Sequence, residues 1–281
     1  MFSESSRRSF LQGVPAAMAA ASAVPVLNAA VDPVPGDVRL GVASYSFREF
    51  SRSLAIKGTK ALNTPYLCIK EFHALYRSTP EELDKAKADF QKAGLTLTGG
   101  GTVYMLKDDM ADIKTYFEYA KRLGMPMMNI GATAKSLPMI EKTLKDYDIQ
   151  IAVHNHGPED KHFPAPSDAL KLMKDMDPRM GVCIDVGHTT RTGKNVIEEI
   201  QAAGPRLLDM HIKDLRDLMN RDSQVDVGDG QMPIVGIFKQ LKKMNYKGIV
   251  HLEYEINADN PLPGMQKSFA YMRGVNAALR A

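Results

Sequence analysis

Two cysteines in 281 residues exclude a disulfide framework as the basis of the fold. Cys68 and Cys183 each sit in an apolar, strand-like run. The two runs fall far apart in the arrangement derived below, so both are read as buried free thiols. An excess of charge is also missing. Lys and Arg number 36 against 33 Asp and Glu, a net charge of +3 without clustering, which gives no electrostatic footprint for nucleic acid or an anionic membrane. No repeat of solenoid period, low-complexity tract or Pro/Gly/Ser-rich linker interrupts the body of the chain, so one domain is expected. Gly99-Gly100-Gly101 lacks the Gly-Lys-Ser/Thr ending of a P-loop and the spacing of a dinucleotide fingerprint. It reads as a close backbone approach, with a phosphate nest as the alternative. What remains, 44% hydrophobic and 25% charged residues, is a globular composition with enough apolar side chains for a large core.

The first thirty residues stand apart. Ser6-Arg7-Arg8-Ser9-Phe10-Leu11 precedes an Ala-rich apolar stretch from Val14 to Ala30, broken by Pro15 and Pro25. It is short for a membrane span of roughly 20 residues. Basic residues, a short apolar run and then small residues describe an export signal, and Arg-Arg before Phe-Leu resembles a twin-arginine signal. The expectation is a signal over 1–30, cleaved near Ala29 or Ala30, an exported, periplasmic protein, and one domain over 31–281.

After that segment strand and helix signals alternate eight times. Strands are expected at Val38 to Tyr45, Tyr66 to Phe72, Leu95 to Thr98 and Pro126 to Ile130, then ending at His154 to His156, at Asp185, at His211 and at Glu253 to Glu255. Helices are expected near Phe50 to Leu62, from Thr79-Pro80-Glu81-Glu82 to Gly94, Lys107 to Leu123 with Gly124 as its cap, Ser136 to Tyr147, Ser167 to Met176, Lys194 to Ala203, Ile234 to Met244 and Met265 to Leu279. A longer loop spans Asp214 to Pro233, with Gly228-Asp229-Gly230 as a tight turn. Eight strand–helix units in about 250 residues predict a (β/α)8 TIM barrel.

Four of these runs organise the chemistry: Ile151 to His156, Val182 to His188, Leu207 to Asp214 and Ile249 to Glu255. Each is apolar and ends in imidazoles or carboxylates. In a parallel barrel those ends converge on one face. Leaving polar groups unpaired at such depth costs several kcal/mol, so His154 (or His156), Asp185, His211 and Glu253 are read as a divalent metal site. Lys70 and Lys213 end apolar strands; they either meet a substrate oxyanion or carry their amines to the surface. Tyr45 ends the first strand and is placed with Lys70 at the mouth.

These residues resemble the xylose isomerase-like barrel superfamily of sugar phosphate isomerases/epimerases, through Cys-Ile-Asp-Val-Gly-His, His-Ile-Lys-Asp and the closing Gly-Asp-Gly with Gly248 to Glu255. The resemblance implies a metal, often Mn²⁺, on Asp185, His211 and Glu253, with His188 on the substrate. The strand-five ligand of that family is commonly Glu; here His154 stands in His-Asn-His, with Glu159 a few residues on. This puts a symmetric two-carboxylate epimerisation in doubt but keeps metal binding, with one Mn, Co or Zn per chain expected. The implied chemistry is removal of a proton next to a keto-sugar carbonyl. Glu253, His154 or Glu255 would exchange the proton, while His188, His156, Lys213, Lys70 and Tyr45 orient substrate. The alternatives are a lyase that eliminates from 3-keto-glycosides, which a subset of exported members with a similar strand resembles, and a sugar-binding barrel without turnover. The barrel-type AP endonucleases of the superfamily fit a nearly neutral chain poorly. A small sugar or keto-glycoside is the expected partner, with a homo-oligomer open.

Overall fold

The computed structural model describes residues 34–280; the expected export segment lies outside them. Eight parallel strands close into a barrel. They are β1 (Arg39–Ala43), β2 (Tyr66–Ile69), β3 (Thr96–Met105), β4 (Met127–Ala132), β5 (Gln150–His154), β6 (Met180–Asp185), β7 (Leu207–Ile212) and, after a small antiparallel hairpin of β8 (Asp214–Leu215) and β9 (Gln224–Val225), β10 (Ile249–Leu252), which closes on β1. Helices flank the strands: α1 (Arg52–Ala61), α2 (Pro80–Lys92), α3 (Met110–Leu123), α4 (Leu137–Leu144), α5 (Pro166–Met173), α6 (Val186–Arg191), α7 (Val196–Ala203), α8 (Ile234–Lys243) and α9 (Leu262–Ala278). The TIM barrel expected from the sequence is therefore the fold. Among the described residues no helix is long and apolar enough to cross a membrane.

Local chemistry sets the helix ends. Thr79 and Glu82 form a reciprocal capping box at the start of α2. Asp109 accepts from the amides of Ala111 and Asp112 at the start of α3, and Gly124, in the left-handed region, ends it. Two features differ from the expectation. First, β3 runs on through the three glycines to Met105, because these strands approach too closely for side chains. A Cβ on Gly101 would stand 2.0 Å from the Asn129 carbonyl, and one on Gly100 would stand 2.7 Å from Met125 Sδ. Second, a short helix, α6, follows β6 directly, because the Asp185 carboxylate accepts from the His188 amide and caps it.

Alternation along each strand separates two interiors. Val42, Leu67, Ile69, Met128, Ile130, Val153, Ile184, Met210, Ile212 and Val250 belong to the main apolar core beneath the helices. The opposite faces carry Met127, Ala152 and Cys183 in a small separate cluster with Leu208, then fully buried polar groups: Asn129, Asp209 and His251. The inner set is linked by hydrogen bonds, with only the Asn129 Oδ1 left without a partner. Thr98 meets His251 at 2.7 Å, His251 meets Asp209 at 2.7 Å, and Asn129 donates to Asp209 at 2.6 Å. Gly41 makes room for it, since a Cβ there would lie 2.6 Å from the His251 ring.

Candidate active site

Strand register brings the candidate side chains together. Asp185 pairs with His211, and His211 with His251; Glu253 is two residues past His251. On the other side His154 pairs with Cys183, and Asp185 is two residues beyond it. A period of two puts His154, Asp185, His211 and Glu253 on one inner face at the C-terminal ends of four strands. One donor atom from each lies within 4.8 Å of the others. His154 Nε2 is 3.0 Å from His211 Nδ1, which is 3.1 Å from Glu253 Oε1. Asp185 Oδ2 is 4.0 Å from His154 Nε2.

Lys213 completes this floor. It is 2% exposed, and its Nζ lies 3.0 Å from Asp185 Oδ2, 3.0 Å from Glu253 Oε2 and 2.5 Å from Glu255 Oε2. The sequence left this lysine between oxyanion contact and the surface; the structure instead commits its amine to three carboxylates. Three carboxylates gathered around one ammonium make this floor an electronegative site, which suits a bound cation. Asp185 Oδ2 is buried without a well-directed hydrogen bond. Two nitrogens and two oxygens converging on that point form a donor set suited to Mn, Co or Zn.

Burial and these charges set the protonation states. Burial holds His154 well below the ordinary imidazole range, with the neighbouring His156 and His211 acting in the same direction. Burial also opposes charge on His211, but Cys183 and Glu253 outweigh it and raise its pKa well above the ordinary value. Glu253 is held well below the carboxylate range because Lys213 and His211 overcome its burial. Asp185 goes the other way: burial raises it, against the pull of Lys213. For Lys213 the burial penalty is overcome by Asp185, Glu253 and Glu255, which raise its pKa.

Above this floor opens a cavity of about 630 Å³, lined by Tyr45, Lys70, His154, His156, His188, Lys213, Glu253 and Glu255 among others. All eight residues assigned from the sequence to catalysis or substrate thus reach one pocket, with Asp185 and His211 buried at its base. Tyr45 arrives by a different route, on a 3-10 turn (Ser44–Phe47) after β1 rather than on the strand. Lys70 donates to the Thr102 carbonyl at 2.7 Å, pairs with Glu71 at 3.1 Å and lies 5.4 Å from the centre of the Tyr104 ring. His156 meets the Tyr104 hydroxyl at 3.2 Å and stacks on that ring. Tyr104, Arg191 and Gln224 also line the cavity and were missed in the sequence. Tyr104 follows the three glycines, beyond the strand end expected at Thr98. Arg191 sits on the unforeseen α6, and Gln224 lies in the long loop. Cys68 and Cys183 are free and buried; they come from β2 and β6, on opposite sides of the barrel, and both fall in clusters with His211.

The profile of the xylose isomerase-like TIM barrel family matches residues 66–275. A 123-residue stretch is 25% identical to an uncharacterized protein of Methanocaldococcus jannaschii, covering 42% of this chain and 41% of that protein. The chain thus spans less than half the length of that curated relative. The 3-keto-D-glucoside 4-epimerase of E. coli superposes with a TM-score of 0.71 at 17% identity, over 85% of this chain and 100% of that one. The probable 3-DHS dehydratase of Bacillus anthracis superposes with a TM-score of 0.71 at 13% identity, over 84% and 98%. At these identities the likeness to the solved structures is one of fold.

Proposed function

This chain belongs to the xylose isomerase-like TIM barrel family, and on that footing we propose that it is a sugar isomerase or epimerase that removes a proton next to the carbonyl of a keto-sugar with the help of one divalent ion. The observation that carries this reading is the convergence of His154, Asp185, His211 and Glu253 within 4.8 Å beneath a cavity of sugar size. These four residues would hold the ion. Bound there, a divalent cation supplies a Lewis acid that draws charge from a carbonyl oxygen.

The chain's own groups do the rest. Glu253 takes the proton. It is kept ionised by Lys213 and His211 against its burial, so it is in the basic form at neutral pH. Lys213 bridges Glu253 to Glu255 and provides a fixed positive charge beside the developing enediolate. His154 stays neutral, which suits a ligand nitrogen and gives the opposite side no second carboxylate. Return of the proton to carbon gives isomerisation or epimerisation. The second reading, elimination from a 3-keto-glycoside, is favoured by that missing carboxylate: one base suffices, and the His156–Tyr104 pair stands on another wall to protonate a leaving oxygen.

An uncharged sugar fits better than a sugar phosphate. The cations lining the cavity that are buried or half-buried are all committed to carboxylates, Lys70 to Glu71, Arg191 to Glu159 and Lys213 to three; Arg221, without an ion pair among the described residues, lines the cavity from the exposed loop. A periplasmic location is the corresponding proposal for where such a substrate is met. The test is solvent deuterium incorporation next to the carbonyl of keto-sugars and methyl 3-keto-glucoside, with and without added Mn²⁺, Co²⁺ or Zn²⁺. Exchange in the metal-loaded protein that Glu253→Gln abolishes supports the reading. Tight binding with no exchange moves the protein to the class of sugar-binding barrels.

A further inference from the structure

Three side chains on the cavity wall order one another in a way the chemistry above does not use. Arg191, the last residue of α6, has a side chain only 5% exposed. Its fork grips the Glu159 carboxylate, Nη1 to Oε1 at 2.5 Å and Nη2 to Oε2 at 2.7 Å. The same Nη2 lies 3.4 Å from the His156 carbonyl and 3.1 Å from His188 Nδ1. The space for this guanidinium is built into the backbone. Gly157 has φ +81°, and a Cβ on it would stand 2.8 Å from Nη2, so a side chain is disfavoured there on both counts.

A guanidinium has five N–H donors and no acceptor, so the 3.1 Å contact requires His188 Nδ1 to accept. A neutral imidazole that accepts at Nδ1 carries its proton on Nε2. Among the described residues nothing hydrogen-bonds to that Nε2, and the ring lines the cavity. We infer that Glu159 and Arg191 are positioning residues that lock His188 in the Nε2–H tautomer, so that this wall meets the substrate with a donor and selects an acceptor oxygen, a sugar carbonyl in the reading above. The identity of that oxygen rests on the proposed function; the tautomer does not. Glu159 acts at one remove: by fixing both ends of the fork it leaves Nη2 one orientation toward His188.

Long-range ¹H–¹⁵N correlation spectra of histidine-labelled protein at neutral pH read the tautomer directly, with His188 assigned by the signal lost in His188→Gln. The expected wild-type pattern is a protonated Nε2 and an unprotonated Nδ1. Arg191→Met should give a mixture of tautomers and about tenfold weaker binding of methyl 3-keto-glucoside, the loss of roughly one hydrogen bond. Glu159→Gln should do so less severely, and it serves if Arg191→Met does not fold. A wild-type protein with its proton on Nδ1, or an unchanged His188 pattern in both variants, overturns the lock. Wild-type protein that shows the lock but binds methyl 3-keto-glucoside no more tightly than methyl glucoside overturns the oxygen selection and the keto-sugar reading, while the tautomer assignment stands.

Discussion

Lys213 Nζ is within 3.0 Å of both Asp185 and Glu253, so the two carboxylates depend on one ammonium. Truncating one member of such a buried set leaves an uncompensated charge, which costs roughly 3–5 kcal/mol. Lys213→Met should therefore lower stability by about that amount, read as a shift in the urea midpoint. Glu253→Gln removes the proposed base with little change of shape; its turnover should fall about 10²–10⁴-fold, measured as loss of deuterium exchange. Burial depresses the His188 pKa to about 3 from its ordinary 6.5. The unfolded chain takes up that proton as pH falls through 6.5, and the folded chain does not until about 3. The corresponding stability is full above 6.5 and declines as pH drops toward 3. His188→Gln should flatten the fall of the urea midpoint between pH 7 and 4; an identical slope would show that this imidazole titrates freely in the folded protein.

Elements, rather than single residues, decide which side chains meet. The sequence assigned Asp185, His211 and Glu253 to the ends of successive barrel strands, and the register places them side by side, because strand period and parallel pairing leave few alternatives. The glycine run on β3 was less legible. Its role is contact with β4, since a Cβ on Gly101 would stand 2.0 Å from the Asn129 carbonyl, and that distance exists only once the two strands are paired. Gly101→Ala should destabilise by roughly 3 kcal/mol or more, seen in the denaturation midpoint. The N-terminus of α2 was legible as Thr79-Pro80-Glu81-Glu82, because capping is local; the reciprocal box came with the structure, and Thr79→Ala should cost about 1 kcal/mol.

At the scale of the whole molecule, the barrel gathers three carboxylates around one lysine at the base of one cavity. A divalent ion that binds only the folded state stabilises it by mass action, by about 2.7 kcal/mol at a hundredfold excess over Kd. A Tm rise of several degrees on adding Mn²⁺, Co²⁺ or Zn²⁺ to chelator-treated protein is expected, and His211→Ala should abolish both the rise and the near-stoichiometric metal content. An unchanged Tm with all three ions would argue for a metal-free reaction.

The amino-acid sequence by itself determined the alternation of strands and helices, the barrel that alternation closes into, and the residues at the strand ends, because hydrophobic period and capping act over a few residues. Only the tertiary structure decided what those residues do to one another. Lys213 turned inward onto Asp185, Glu253 and Glu255, and Asp209 and His251 paired inside the barrel. Arg191 reached from α6 to Glu159 and His188. These contacts join residues 3 to 42 positions apart in the chain; their distances, and the protonation states that follow, exist only after the strands have paired and water has left the interior.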